Sequence, residues 1–311
     1  MSKFISVLHS VGREECWILG VPIIFNMKMN SYIYIIGLNS KTGEFFLMEL
    51  ILKSIVMGIV EGITEFLPIS STGHLILVDQ FLKLEKPFSD MFEIVIQLGA
   101  ILSVIVYFNR RLNPLVHEPE KRREILELWK KTIAGVIPAI IIGGTLGKKI
   151  SEHLFNPIVV AVALIVGGVI LIAIESFRKK EKVFSVNEIT YGFAVAVGFM
   201  QCLAMIPGTS RSAATIIGAM LLGATRGTAA EFSFFLAIPT MFAASAYSLM
   251  KHASHMNLLE AEALFVGFLV SFLVAWAVIA VFMNYIRKND FKPFGYYRII
   301  LGILVLILFL K

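Results

Sequence analysis

Charge is what this 311-residue chain has least of: 16% of its residues are Asp, Glu, Lys or Arg and 57% are hydrophobic. Soluble domains carry about 25% charged and about 45–50% apolar residues, so the deficit excludes an ordinary soluble domain, and a mean hydropathy of +0.81 agrees. Cysteine is nearly absent as well. Cys16 and Cys202 are too few and too far apart for a disulfide framework or a metal ribbon, and they say nothing of compartment. The alternation of apolar and polar residues that marks a membrane β-barrel is also missing. In its place stand continuous uncharged runs, Leu154–Ile174, Phe232–Met250 and Ala263–Ile286, each near the roughly 20 residues a helix needs to cross a bilayer. The expected fold class is therefore an all-α integral membrane protein. The net charge of +6 gives no reason to expect nucleic acid, because the basic residues cluster between apolar segments, as cytoplasmic loops do under the positive-inside rule.

The first 47 residues hold no full-length span, and they lack the order of basic start, apolar core and small-residue cleavage site that makes a signal peptide. Met48 opens a clean apolar run, "MELILKSIVMGIVEG". Residues 1–47 are thus expected to be an extension outside the main fold, or an upstream start that is not used, and 48–311 the membrane domain.

Within 48–311, six spans are expected: 94–108, 132–147, 157–175, 231–250, 262–286 and 294–310. Two regions, 50–84 and 189–226, are instead pairs of short apolar pieces joined by the breaks "LPISSTGH" and "IPGTSRS", a pattern of re-entrant segments. The breaks repeat. Pro68 and Pro207 are 139 apart, as are Ser71 and Ser210, and Glu93 and Glu231 are 138 apart. Such spacing predicts one re-entrant helix hairpin plus three transmembrane helices, used twice (about 50–176 and 189–311). Three spans between the hairpins make them enter from opposite faces, an inverted-topology repeat with its polar site near the midplane. The basic clusters after 108, 175 and 286 then share one side, and only Lys148-Lys149 dissents.

The costly side chains gather at the breaks. In "EGITEFLPISSTGHLIL", Glu61 and Glu65 stand one helical turn apart on one face. An unpaired acid at the centre of a membrane helix costs roughly 2.5–3.5 kcal/mol, so a divalent cation such as Mg²⁺ or Ca²⁺, a buried arginine or a shared proton is expected beside them; a purely structural interhelical pair is the plainer reading. Ser71, Thr72 and Gly73 suit the opening of a helix whose free N–H groups bind anions. His74, three residues past Ser71, is placed to share its face, the outline of an activated nucleophile, although hydroxyls also cap helices and a lone histidine is commonly a satisfied core residue. In "PGTSRSAAT", Arg211 among Ser210 and Ser212 at a helix mouth outlines a phosphate site; the simpler role is pairing with Glu61 or Glu65. Gln201 stands six residues before Pro207 as Glu61 stands seven before Pro68, with Met205 where a second acid would be. Glu93, Gln97 and Glu231 are expected to be structural.

"EGITEFLPISSTGH" and "PGTSRSAATI", with "FEIVIQLGAIL" and "EFSFFLAIP" between and after them, resemble the signature regions of the undecaprenyl-diphosphate phosphatase family of the bacitracin-resistance type. The resemblance covers about 48–311. It implies removal of the terminal phosphate from a polyprenyl diphosphate lipid, recycling the carrier for peptidoglycan synthesis and conferring bacitracin resistance. It also implies a multi-pass protein of the bacterial plasma membrane, a site open to the outer face and a divalent cation. By position, Glu61 and Glu65 match the family's acidic pair, Ser71 and His74 its hydroxyl–imidazole pair and Arg211 its phosphate-binding arginine. The expected catalytic set is Ser71, His74, Glu61 and Glu65, with Arg211, Ser210, Thr72 and Ser70 on the phosphate and Glu61 and Glu65 on the metal. A metal-activated water in place of Ser71 stays open, as does self-association into a homo-oligomer. The competing reading is a lipid-phosphate or ion-coupled transporter, which inverted repeats with broken helices also build.

Overall fold

Apolar runs fold as helices in lipid because only a helix satisfies its own backbone there, and this chain departs from that rule chiefly at its two breaks. The structure, a computed structural model, describes residues 15–18, 21–24, 41–84, 88–116, 118–177, 180–252 and 257–309. Two compact units are present, Met1–Glu49 and Leu50–Lys311. In the smaller, β1 (Glu15–Ile18) and β2 (Val21–Ile24) form an antiparallel hairpin with Glu15 opposite Ile24. Most of the expected extension, 1–47, lies outside the described residues.

The main elements that follow are helices. The first half contains α1 (Lys41–Thr64), α2 (Ser71–Leu82), α3 (Phe88–Tyr107), α4 (Pro119–Leu154) and α5 (Pro157–Ser176). The second contains α6 (Tyr191–Gln201), α7 (Arg211–Leu221), α8 (Arg226–His252), α9 (Leu258–Ile286) and α10 (Lys292–Phe309). Among the described helices, α3, α5, α8, α9 and α10 are long and apolar enough to cross a membrane, and they coincide with five of the expected spans. The sixth, 132–147, is the middle of α4. The 36 residues of α4 reach about 54 Å, well beyond a hydrocarbon core of about 30 Å, so charged turns flank its apolar centre.

The helix contacts repeat between halves. α3 packs on α9 and α8 on α4, α1 packs on α9 and α6 on α4, and α5 meets α10; exchanging the halves maps this set onto itself. Because lipid is as apolar as leucine, these contacts depend on close backbone approach at small residues. A Cβ on Gly198 of α6 would land on the Gly135 carbonyl oxygen of α4, and one on Gly62 of α1 would come within 2.8 Å of the Ser271 carbonyl of α9.

The breaks share one backbone shape. Ser70 and Ser210 have φ of 73° and 71°, each caps the helix that follows, and their hydroxyls accept the N–H of Gly73 at 3.3 Å and of Ala213 at 3.2 Å. A non-glycine residue held in such a region costs about 1–3 kcal/mol, and the same strain appears at the same place in both halves. The structure therefore corrects the repeat register at the helix starts. Ser210 is equivalent to Ser70, not to Ser71, and Ser71 is equivalent to Arg211. The shift is one residue because Ser70 lies two residues past Pro68, whereas Ser210 lies three past Pro207. Phe66, fully buried in the first break, stands edge-on to Phe234 of α8 with centroids 5.0 Å apart, which seats the first break against the second half.

Candidate active site

Two helix starts converge where the breaks meet. Ser71 opens α2 and Arg211 opens α7, and between them lies Glu65, buried just past the end of α1. Glu65 Oε2 accepts from Ser71 Oγ at 2.8 Å and Oε1 from Arg211 Nη2 at 2.9 Å. Arg211 Nη1 donates to the Ser233 carbonyl of α8 at 3.0 Å, and its Nε has no protein partner. Ser212 Oγ donates to the Leu67 carbonyl at 2.8 Å, a second tie between the breaks. The result is a hydroxyl, a carboxylate and a guanidinium in one hydrogen-bonded row. A cavity of about 250 Å³ opens beside the row, lined by Glu65, Ser70, Ser71, Thr72, Ser210 and Arg211 together with Gln97, Gln201, Met205 and Thr240. A buried carboxylate left without its arginine would destabilise the protein by about 3–5 kcal/mol, so Glu65 and Arg211 hold each other in place when no anion is bound.

The expected pairing of Ser71 with His74 is not what the structure contains. His74 Nδ1 lies 2.7 Å from the Ser70 carbonyl oxygen and Nε2 lies 2.7 Å from Tyr297 Oη, with the two rings stacked. A carbonyl can only accept, so Nδ1 carries the proton, and Nε2 accepts from the tyrosine hydroxyl. Both nitrogens are thereby committed, and the ring turns toward the carbonyl one helical turn back, not toward the serine three residues back. The hydroxyl–carboxylate contact places Glu65 where the imidazole was expected.

Glu61 is fully buried, lies beside Glu65, and neither of its oxygens has a hydrogen-bond donor. Two adjoining carboxyls are joined only by a shared proton or a cation. Mg²⁺ characteristically takes one or two carboxylates and completes its shell with water and substrate phosphates, so this unpartnered carboxylate fits such an ion. Among the described residues no group of three or more His, Cys, Asp and Glu side chains makes a protein cage for one.

Of the residues expected to be structural, Glu231 forms an ion pair with Arg111, whereas Gln97 lines the cavity. Arg298 of α10 escaped the sequence reading. It is fully buried and donates to five carbonyl oxygens: Leu164 at 3.3 Å and Ala163 at 3.1 Å on α5, Pro68 at 3.3 Å in the first break, and Gly208 at 3.1 Å and Thr209 at 2.9 Å in the second. The guanidinium fits because position 167 is glycine; a Cβ there would land on it. The signal was present, since an arginine seven residues into an apolar helix is as costly as Glu61.

Residues 54–304 match the model of the family described as bacitracin resistance protein BacA. The chain is 52% identical over 270 residues to the undecaprenyl-diphosphatase of Limosilactobacillus fermentum, covering 83% of this chain and 97% of that protein. It is 51% identical over 269 residues to undecaprenyl-diphosphatase 1 of Clostridioides difficile (85% and 98%) and 49% identical over 262 residues to the undecaprenyl-diphosphatase of Caldanaerobacter subterraneus (84% and 97%).

Proposed function

We propose, on the premise that the chain belongs to the BacA family of bacitracin resistance proteins, that it is a multi-pass membrane hydrolase that converts undecaprenyl diphosphate to undecaprenyl phosphate and inorganic phosphate. The reaction returns the lipid carrier to peptidoglycan synthesis and withdraws the diphosphate lipid on which bacitracin acts. One observation carries the reading to named atoms: Ser71 Oγ donates to Glu65, which is held by Arg211, at the edge of a cavity where two helix N-termini meet.

In this reading the terminal phosphate binds between Arg211, the hydroxyls of Ser70, Thr72 and Ser210, and the free N–H groups that open α2 and α7. The unpartnered Nε of Arg211 supplies a donor before the Glu65 pair is disturbed. Ser71 Oγ attacks the terminal phosphorus in line with the bridging oxygen and gives its proton to Glu65. The Oγ–P bond forms as the bridging P–O bond breaks, and undecaprenyl phosphate leaves. Water then cleaves the phosphoserine. Phosphoryl transfer depends on alignment and charge neutralisation more than on covalent chemistry by the protein, and the converging positive groups serve that need. Glu61, with Glu65 beside it, would hold Mg²⁺ or Ca²⁺, and the ion would supply neutralisation of phosphate charge. The positive-inside pattern favours a bacterial plasma-membrane orientation in which α1 and α2 dip from the outer face, so that the diphosphate enters from the outer leaflet while its C55 chain stays in lipid.

The test is phosphate release from C15 and C55 diphosphates by the purified protein with Mg²⁺ or Ca²⁺ present. Ser71→Ala is expected to lower kcat by about a thousandfold or more, and acid quenching of the wild type should trap phosphoserine at position 71. No release beside an active relative would overturn the function. Near-normal turnover by Ser71→Ala would leave the function standing and replace the serine with water as the attacking group.

A further inference from the structure

One buried polar group in the cavity is left without a task by the reaction above. Gln201 ends α6, is 3% exposed and lines the same cavity as Ser71 and Arg211. Its amide orientation is fixed by its neighbour. Thr240 Oγ1 donates to the Leu236 carbonyl at 2.9 Å, so toward Gln201 it can only accept, and Gln201 Nε2 is the donor at 3.3 Å. That leaves Oε1 as a buried acceptor with no protein partner. A phosphate presents acceptors, and a second acceptor is poorly chosen to bind it. The oxygen suits a ligand that donates, and the small donor this reaction consumes is water.

We propose that Gln201 Oε1 is the positioning group for the water that hydrolyses the phosphoserine. The inference rests on the Ser71 reading of the preceding subsection and deepens it. Ser71 opens a helix of the first half, whereas Gln201 closes one in the second, so the two face the cavity from different halves. Once undecaprenyl phosphate departs, the face of the phosphorus opposite Oγ is open, and in-line attack must come from there. Gln201 stands ten residues before Arg211, as Glu61 stands ten before Ser71. An amide there keeps an acceptor for a water proton without adding a negative charge beside Arg211 or the phosphoryl group. Water oxygen bonds to phosphorus as the P–Oγ bond breaks. Glu65 returns to Oγ the proton it took in the first step, and both water protons leave on the product as dihydrogen phosphate.

The two half-reactions separate the outcomes. Farnesyl diphosphate labelled with ³²P in the terminal phosphate is mixed rapidly with purified full-length enzyme and quenched in acid. For Gln201→Met, similar in size and without the acceptor, the first-turnover burst of farnesyl phosphate is expected to persist. Steady-state turnover should fall about a hundredfold, and acid-stable phosphoserine should rise toward one per active site. Thr240→Val, which leaves the amide free to rotate, should shift the same ratio in the same direction by less, and it serves if Gln201→Met does not fold. Exchange of ¹⁸O from water into phosphate should fall in step with turnover. If burst and turnover fall together, with no gain in phosphoserine, Gln201 acts on binding or folding and the proposal is overturned. If the wild type itself shows neither burst nor phosphoserine, the Ser71 reading fails first, and its failure is visible without any Gln201 variant.

Discussion

His74 commits both ring nitrogens to structure, Nδ1 to the carbonyl of strained Ser70 and Nε2 to Tyr297. Through that pair α10 steadies the residue just before Ser71, and the imidazole reaches Ser71 only through its neighbour's backbone. Tyr297→Phe removes one hydrogen bond, worth about 0.5–1.5 kcal/mol, and a loss of that size slows a reaction by about tenfold at most. Initial rates of phosphate release should therefore fall no more than that, beside a loss of about a thousandfold or more for Ser71→Ala. A collapse of Tyr297→Phe to the Ser71→Ala level would show that the imidazole does more than position. Glu61, Glu65, Ser71 and Arg211 could be read in the sequence because charge and clustered hydroxyls are conspicuous where apolar residues are the rule. The partner of Ser71 could not. Spacing of three along a helix brings two side chains to one face, but it does not say whether an imidazole turns to that neighbour or to the carbonyl one turn back.

At the scale of elements, the arginine of α10 and the glycine of α5 form one device. Arg298 passes Gly167 and reaches two carbonyls of α5 and three of the breaks, and those of the breaks are backbone groups that no helix satisfies. Lysine would place a single three-donor ammonium before five acceptors. Each carbonyl stranded in the interior costs about 1–3 kcal/mol. Arg298→Lys should lower the thermal unfolding midpoint in detergent, and Gly167→Ala should lower it as well by displacing the guanidinium. Both should reduce kcat more than they raise KM, because what they loosen is the alignment of Ser71 with Arg211. A second tie just before the start of α10 has similar logic: Glu175 of α5 accepts from Arg226 Nε and Nη2, at 2.8 and 2.6 Å, and from the Phe291 N–H at 3.1 Å. Removing the carboxylate by Glu175→Ala should destabilise by about 3–5 kcal/mol, read by the same unfolding measurement. The helices at 157–175, 262–286 and 294–310 were legible because long apolar runs leave few alternatives. The one-residue register shift between the breaks was not, because it depends on where a positive φ falls, and serine does not announce one as glycine does.

On the scale of the whole molecule, the two halves are joined at their centre by Glu65 with Arg211, Ser212 with the Leu67 carbonyl, and Arg298 with both breaks. A transporter that alternates by rocking one repeat against the other would have to break these ties in each cycle, each with a buried partner. A phosphoryl-transfer site gains from keeping them, since its rate depends on fixed alignment. The same scaffold is therefore better suited to stationary chemistry, and the side on which phosphate emerges becomes a matter of orientation. Arg110, Arg111, Arg287 and Lys288 fall on one side of the inverted scheme and Lys148 and Lys149 on the other. In a Cys16→Ser, Cys202→Ser background, a cysteine replacing Lys148 should react with a membrane-impermeant maleimide in intact cells. Cysteines replacing Asn113 or Lys288 should react only after permeabilisation. The reverse pattern would turn α1 and α2 toward the cytoplasm and require phosphate to be released there, and sealed vesicles of known orientation would register that release on the opposite side.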